Sequence, residues 1–206
     1  MTTRENVASE LRPVVIFPDG QQEQDGYQGP EDFVRTDVNN SNQLVARYGA
    51  VLRWVPKWRA WLHYDGIRWA TVSEDEVIGF AKHVLYELRE EANQLTLSRE
   101  TRDIGLERLS WAVSSEKGQH LELMVNYAKP DLVARPEDFD RNPDLFNVLD
   151  GTFDFSTGEL REHRAGDMIT KLAPVAYRDG TDDYRLWAKF IDDITDGDVS
   201  LAVYIQ

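Results

Sequence analysis

The stretch LFNVLDGTFDFSTGELREHRAGDMITKLAPVAY, residues 145–177, is the part of the sequence that most clearly indicates the fold. It contains three apolar runs in which apolar and polar residues alternate, as they do in strands with one buried face. Asp150-Gly151 separates the first two runs, and Ser156-Thr157-Gly158 separates the second from the third. Both separators contain residues that tolerate the positive φ angles of hairpin loops. The stretch therefore predicts a three-stranded β-meander with a two-residue turn at Asp150-Gly151.

A tryptophan-rich stretch, VLRWVPKWRAWLHYDGIRWATV at residues 51–72, predicts a second hairpin. A two-residue turn at Asp65-Gly66 would pair Tyr64 with Ile67 and, further along, Leu62 with Trp69. This register gives one apolar face, which we expect in the core, and an opposite face that is both aromatic and basic. The expected core residues are Leu62, Tyr64, Ile67 and Trp69, and the opposite face consists of Arg59, Trp61, His63 and Arg68.

Helical periodicity dominates the region between the two hairpins. The pattern Ser73-Glu74-Asp75-Glu76 is typical of a capping box, and it precedes the longest run of apolar residues at helical spacing. Two further helices are expected from about Ser98 and from Ser115 to Pro130, with a short helix at residues 41–48 and two more after residue 183. The sequence therefore predicts an α+β fold: a tryptophan-rich hairpin or small sheet, about three central helices, a second β-meander and C-terminal helices.

Residues 1–40 differ in composition from the rest of the chain. The segment from Pro18 to Pro30 is rich in Gly, Pro and Gln, so it cannot bury enough apolar surface to offset the loss of conformational entropy on ordering. We therefore predict a tail or linker at residues 1–40, an α+β domain at residues 41–195 and the start of a further helical segment at residues 196–206.

The composition excludes several classes of protein. With 206 residues, 41% of them hydrophobic, the chain can bury one sizeable core. It has no cysteine, which excludes disulfides and thiolate chemistry and fits a reducing compartment. No apolar run approaches the roughly 20 residues that a membrane span needs, and the N-terminus lacks the layout of a signal peptide. We therefore expect a cytoplasmic protein that does not act on membranes.

The sequence contains no recognisable catalytic motif. It has neither a Walker-type phosphate loop nor a Gly-x-Ser-x-Gly elbow, and its four histidines fall in four separate predicted elements. The acidic run at residues 192–198 fails as an EF-hand loop because Ile194 and Val203 would occupy ligand positions. A two-carboxylate hydrolase stays open, since 37 acidic residues always include suitable pairs. We expect no catalytic residue, metal ligand or cofactor site in this chain.

The distribution of charge points to a site. The formal net charge is −14, yet residues 43–73 carry a net charge of +4, which suggests one basic face on an acidic body. Tryptophans interleaved with Arg and Lys can hold single-stranded DNA, because bases stack on aromatic rings while cations contact the phosphates. The alternative is that these tryptophans fill the core and the cations surround it. The candidate DNA-binding residues are Arg53, Trp54, Lys57, Trp58, Arg59, Trp61, His63 and Arg68.

Four segments together resemble a known family. They are WLHYDGIRW at residues 61–69, NVLDGTFD at 147–154, STGELREH at 156–163 and ITKLAPVAY at 169–177. In this order they are similar to blocks in the N-terminal region of phage, plasmid and poxvirus primase-helicases, the region that precedes a superfamily III AAA+ helicase. Asp150 stands where that family usually has Asn, and it suits the same turn.

The resemblance implies a non-catalytic region of a replicative DNA primase-helicase that couples modules and guides single-stranded or forked DNA to the motor. The implied partners are a downstream helicase domain, which would also drive oligomerisation, and a primase or origin-binding protein. ATP and Mg²⁺ are expected only for a helicase domain that this sequence lacks, and the whole protein would be an ATP-dependent helicase or primase of phage or prophage origin. The alternative is an acidic interaction module that docks a separate primase, origin-binding protein or loader.

Overall fold

The computed structural model of the protein describes residues 34–178 and 184–205. Within these ranges it contains six α-helices and two three-stranded antiparallel sheets, so the predicted α+β class is confirmed. The predicted tail lies outside the described residues as far as residue 33, and residues 179–183 and 206 lie outside them as well.

The elements follow the predicted order, with one helix and a small sheet before three central helices, then a second sheet and two terminal helices. The helices are α1 (Asp37–Tyr48), α2 (Glu74–Thr96), α3 (Arg102–Ser115), α4 (Gly118–Ala128), α5 (Arg185–Thr195) and α6 (Val199–Ile205). The strands of the first sheet are β1 (Leu52–Val55), β2 (Ala60–Tyr64) and β3 (Trp69–Val72). Those of the second sheet are β4 (Leu145–Val148), β5 (Gly151–Asp154) and β6 (Glu159–Arg161).

Side-chain caps determine where two of the helices begin. The Thr36 hydroxyl accepts the N–H of Asn39 at 3.1 Å, so α1 begins four residues before the predicted helix. The predicted capping box at the start of α2 is confirmed. The Ser73 hydroxyl accepts the N–H of Glu76 at 3.2 Å, and the Glu76 carboxylate accepts the N–H of Ser73 at 2.8 Å. These bonds satisfy N–H groups that the first turn of a helix cannot pair internally.

The register of the β2–β3 hairpin differs from the prediction. Tyr64 pairs with Trp69, not with Ile67, so the loop contains the four residues from Asp65 to Arg68. The Asp65 carboxylate accepts the N–H groups of Ile67 and Arg68 at 2.9 and 2.8 Å, which stabilises the longer loop. Because the shift is an even number of positions, Leu62, Tyr64 and Trp69 still share one buried face, as predicted.

Helices cover the face of the first sheet that carries Trp61 and His63. The His63 ring lies 4.8 Å from the ring of Phe80 on α2. Trp61 is 2% exposed and packs 5.3 Å from the ring of Trp54, directly opposite on β1. The ammonium group of Lys129, just after α4, lies 4.8 Å from the Trp54 ring centre. The alternation of residues in β2 could not show that helices cover this face of the sheet, because both faces of β2 are buried.

The opposite face of the first sheet packs against the segment between α4 and the second sheet and against the turn after β6. The indole N–H of Trp69 donates to the carbonyl of Ala165 at 2.8 Å, and its ring lies 6.0 Å from the ring of Phe139. Arg53 places its guanidinium 5.2 Å from the centre of the Trp69 ring. The first sheet is therefore the middle layer of the domain.

The second sheet has the three predicted strands with a shifted first turn. Val148 pairs with Gly151, so the turn consists of Leu149 and Asp150 rather than Asp150 and Gly151. A Cβ at position 151 would lie 2.5 Å from the carbonyl oxygen of Arg161 on β6. Glycine is therefore needed here for close strand approach and not for a positive φ angle.

The turn between β5 and β6 has its glycine at the predicted position. Residues 155–158 connect β5 to β6, and Gly158 adopts a φ of 74°, the left-handed conformation expected of it. Near the first turn, the Asp150 carboxylate accepts the N–H of Tyr177 at 2.8 Å. This contact needs only an acceptor, which Asp and Asn both provide.

Residues 169–175 connect the two sheets, and we call them the connector. The N–H of Trp69 on β3 donates to Ile169 at 2.8 Å, which pairs the connector with the first sheet. Further along, Ala173 donates to Asn147 at 2.9 Å and Leu149 donates to Val175 at 2.9 Å, which pairs it with the second sheet. The connector has no regular secondary structure, and it covers one edge of each sheet.

Candidate nucleic-acid interface

The turn between β1 and β2, Pro56–Arg59, brings together three of the predicted DNA-binding residues. Val55 pairs with Ala60 at its base, and the N–H groups of Trp58 and Arg59 donate to Val55 and Pro56, each at 3.1 Å. This tight backbone leaves the side chains of Lys57, Trp58 and Arg59 exposed. An aromatic ring thus stands between two cations at a fixed turn.

Trp58 is the aromatic centre of this site. Its ring lies 5.7 Å from the ring of the buried Phe139, with an angle of 31° between the planes. It is nevertheless 46% exposed, so part of the ring is open to a ligand. Phe139 was not among the predicted site residues, since its sequence context indicates only a short helical turn. Its role is to hold Trp58 in one orientation.

The two cations of the turn, Lys57 and Arg59, differ in their partners. The ammonium group of Lys57 lies 3.2 Å from a carboxylate oxygen of Glu137, and both side chains are largely exposed. Solvent screens such an exposed pair, so its partners exchange readily. Arg59 forms no ion pair within residues 34–178 and 184–205, and it adopts a left-handed backbone with a φ of 52°.

Three other candidate residues are used inside the fold. Trp61 is buried, which removes it from any DNA surface and corrects the prediction for that residue. Trp54 is partly buried between Trp61 and Lys129. His63 packs on Phe80, and burial lowers its pKa, because a charged imidazole is poorly solvated there.

The remaining two candidates, Arg53 and Arg68, are also engaged with the protein. Arg53 donates to the carbonyl of Leu52 at 2.7 Å and to that of Gly49, and burial lowers its pKa. Arg68 donates to the carbonyl of Thr170 at 3.4 Å. It lies in the β2–β3 loop, at the opposite end of β2 from the exposed turn. The eight candidates therefore do not form one patch.

The basic stretch of the sequence is likewise not one basic face. Arg47 lies on α1, where its guanidinium contacts Glu87 at 2.9 Å and Glu91 at 2.7 Å on α2. Of the five cations between residues 43 and 73, only Lys57 and Arg59 stand together on an exposed turn. The basic residues of this stretch are close in the sequence but not in space, because the stretch crosses a helix and three strands.

No group of three or more His, Asp or Glu side chains within residues 34–178 and 184–205 is arranged to hold a metal ion. Among the helices described, none combines the length and the apolar character that crossing a membrane requires.

Comparison with protein families agrees with the architecture. A family described as D5 N terminal like matches residues 41–196, about three quarters of the chain. The chain belongs to this family. The D5 N-terminal-like domain precedes the helicase in phage and plasmid primase-helicases. The match runs from within α1 to the residue after α5 and so includes both sheets and the exposed turn. No curated protein sequence matches the chain.

Proposed function

We propose that this domain guides a DNA single strand toward the motor of a primase-helicase by holding it on the exposed β1–β2 turn. Two kinds of support meet here. Membership of the D5 N-terminal-like family associates the chain with a helicase, and the turn carries an exposed tryptophan between two exposed cations. ATP and Mg²⁺ belong, in this proposal, to the helicase domain, while this chain provides binding and module coupling and breaks no bond.

The proposal rests on two properties of Arg59, its left-handed backbone conformation and the absence of an ion pair with it among the described residues. A residue other than glycine in the left-handed region costs about 1–2 kcal/mol, so a tight turn alone would favour glycine there. Arg59 keeps its side chain at this position, exposed and outside any ion pair of the described residues. Backbone strain of this kind is concentrated at functional sites.

The geometry suggests how the strand is held. A base stacks on the open part of the Trp58 ring, and Lys57 and Arg59 contact the phosphates on either side, with Lys57 exchanging Glu137 for a phosphate. Stacking on one aromatic ring contributes about 1–3 kcal/mol per base. One such ring with two cations gives weak, sequence-tolerant binding, which suits a strand that must slide.

Titration of a fluorescein-labelled oligothymidylate at several salt concentrations tests this function. We expect Trp58→Ala to weaken binding roughly 5- to 150-fold, from the loss of one stacked base. The pair Lys57→Gln and Arg59→Gly is expected to lower the slope of log K against log salt by about 1.4, since each lost cation removes about 0.7 on a single strand. Glycine adopts the backbone angle of position 59 freely, so the domain should stay folded.

Two control variants distinguish the effect of substitutions in the β1–β2 turn from the general effect of losing a tryptophan or a cation. Trp187→Ala removes a tryptophan that is 51% exposed on α5, and Lys82→Gln removes an exposed cation on α2. Both should bind like the unaltered protein. Absence of binding at low salt, or equal losses in the matched variants, would rule out DNA guidance by this turn.

Protein docking is a second candidate function, and a separate observation favours it. The second sheet exposes aromatic side chains that contact neither the turn nor the core cluster. In this reading the domain attaches a primase, an origin-binding protein or a loader to the motor.

A further inference from the structure

Four aromatic rings lie together on one side of the second sheet. Phe146 on β4 is directly opposite Phe153 on β5, and Phe155 lies two residues beyond Phe153. The Phe155 ring is 5.1 Å from that of Phe153 and 6.2 Å from that of Phe146. Tyr177, which follows the connector, stacks on Phe153 at 5.1 Å with 23° between the planes. We call these four residues the aromatic face.

The aromatic face is exposed and continues into further apolar surface. Phe155 is 61% exposed and Phe146 is 47% exposed. Leu149 in the β4–β5 turn and Val175 in the connector are exposed beside them and are joined to each other by a backbone hydrogen bond of 2.9 Å. The other side of the sheet is occupied, since Asn147 and Thr152 are buried there. Contiguous apolar surface of this kind usually marks an interaction site.

Hydrogen bonds hold the backbone that carries two of these rings. The N–H of Phe155 donates to the carbonyl of Asp144 at 2.8 Å, and the N–H of Tyr177 donates to the carboxylate of Asp150 at 2.8 Å. The Asp154 carboxylate, between Phe153 and Phe155 in the chain, accepts the N–H and O–H of Ser156 at 2.9 and 2.6 Å. A preorganised surface loses little conformational entropy on binding.

The charges around the aromatic face select the type of partner. Asp150 accepts the N–H of Tyr177 through its carboxylate, and Asp144 accepts that of Phe155 through its backbone carbonyl. Asp154 follows Phe153 in the chain, so three acidic residues adjoin the aromatic face in the chain or by hydrogen bond. The Ser156 bonds lower the pKa of Asp154, so it stays charged. Arg161 on β6 is held by Asp167 through two bonds of 2.8 and 2.9 Å. Single-stranded nucleic acid needs cations beside its stacking rings, and an acidic border repels phosphates.

We propose that the aromatic face binds a segment of a partner protein in which two or three large apolar side chains are flanked by Lys or Arg. The apolar side chains cover Phe146, Phe153 and Phe155, and the cations meet the carboxylates at the border. This inference deepens the second candidate function, protein docking, by assigning it a surface and a partner chemistry. It does not depend on DNA binding at the β1–β2 turn.

Selection from a library of random peptides displayed on phage, with the full chain immobilised, tests the proposal. Enriched peptides should combine aromatic or aliphatic residues with Lys or Arg. One enriched peptide, synthesised with a fluorophore, should bind at least tenfold more weakly to a Phe146→Ser, Phe155→Ser double variant. It should bind several-fold more weakly to an Asp144→Asn, Asp154→Asn variant. A Leu186→Ser, Phe190→Ser variant of α5, which removes two apolar side chains at least as exposed as Phe155 and Phe146, should bind like the unaltered chain.

Other results would overturn the proposal. One is a selection that enriches no peptides, or that enriches acidic ones. Another is a Phe146→Ser, Phe155→Ser variant that binds the peptide as well as the unaltered chain does, once urea denaturation shows that the variant is folded. Loss of oligothymidylate binding in that variant would assign the face to nucleic acid. Loss of a concentration-dependent dimer in sedimentation would assign it to a second copy of the chain. Trp58→Ala should leave peptide binding unchanged, so DNA guidance and this inference can fail separately.

Discussion

At the scale of single residues, positions 59 and 151 differ in why the backbone would favour glycine. Arg59 occupies a left-handed conformation where glycine would be unstrained, and it retains a side chain that can contact phosphates. Gly151 has no left-handed angle, yet the approach of β6 leaves no space for a Cβ. Both conclusions required coordinates. In the sequence, Gly151 indicated a turn residue, and Arg59 was a candidate DNA-binding residue placed on a strand.

Replacing Gly151 by alanine should destabilise the domain by about 1–3 kcal/mol. The added Cβ would lie 2.5 Å from the Arg161 carbonyl and 3.0 Å from the Leu160 side chain, so β6 must move. Urea denaturation measures the free energy of unfolding. Gly118→Ala serves as the control, because no heavy atom lies within 4 Å of a Cβ at position 118. Equal stability of the two variants would contradict the close approach of β5 and β6.

At the scale of elements, the helices, the β2–β3 hairpin and the meander could be predicted from the sequence. The strand β1 and its turn to β2 were not identified separately, and the pairing partners could be predicted only in part. Alternation and turn residues predicted both hairpins. The loop at Asp65 became longer because a side-chain carboxylate captured two backbone N–H groups, a contact that propensity does not encode. The site prediction failed at Trp61 for a different reason, since α2 covers a face that alternation alone cannot assign.

The interface between β2 and α2 should make stability depend on pH through His63. Burial lowers the pKa of His63, while the carboxylates of Asp65 and Glu76 oppose the shift. With a folded pKa below the unfolded value of about 6.5, the folded state binds fewer protons. Its stability should therefore decrease as the pH falls below about 6.5.

Urea denaturation of the unaltered protein and of His63→Gln between pH 5 and 7.5 provides the measurement. The variant should show a flatter dependence of unfolding free energy on pH over this window, because it lacks the titrating group. His83→Gln, which alters another partly buried histidine, controls for the substitution. A His63→Gln curve parallel to that of the unaltered protein would mean that His63 does not titrate differently on folding.

At the scale of the whole molecule, the two sheets form one structure through the connector. Trp69 is bonded to Ile169 by its N–H and to Ala165 by its indole, each at 2.8 Å. These contacts close a loop of about a hundred residues that contains all three central helices and the second sheet. The resemblance of residues 169–177 to a family block did not indicate that this segment would pair with both sheets.

A chain that stops at residue 160 should therefore fail to complete the first sheet. We expect it to be cleaved by thermolysin much faster than the full chain and to aggregate, since the edge of β3 and the Trp69 indole lack acceptors. Adding a synthetic peptide of residues 161–178 should restore protection, whereas a scrambled peptide should not. A shortened chain as resistant as the full one would show that the connector is dispensable.

The connector also determines what is exposed while the protein is being made. β3 leaves the ribosome about a hundred residues before the acceptors at Ala165 and Ile169, which at roughly 5–20 residues per second amounts to about 5–20 s. During that interval the first sheet offers an unpaired edge to neighbouring nascent chains. Crowded polysomes would thus be the setting in which this domain is most vulnerable to misassembly, and chaperones that bind nascent chains in those seconds would have the greatest effect on its yield.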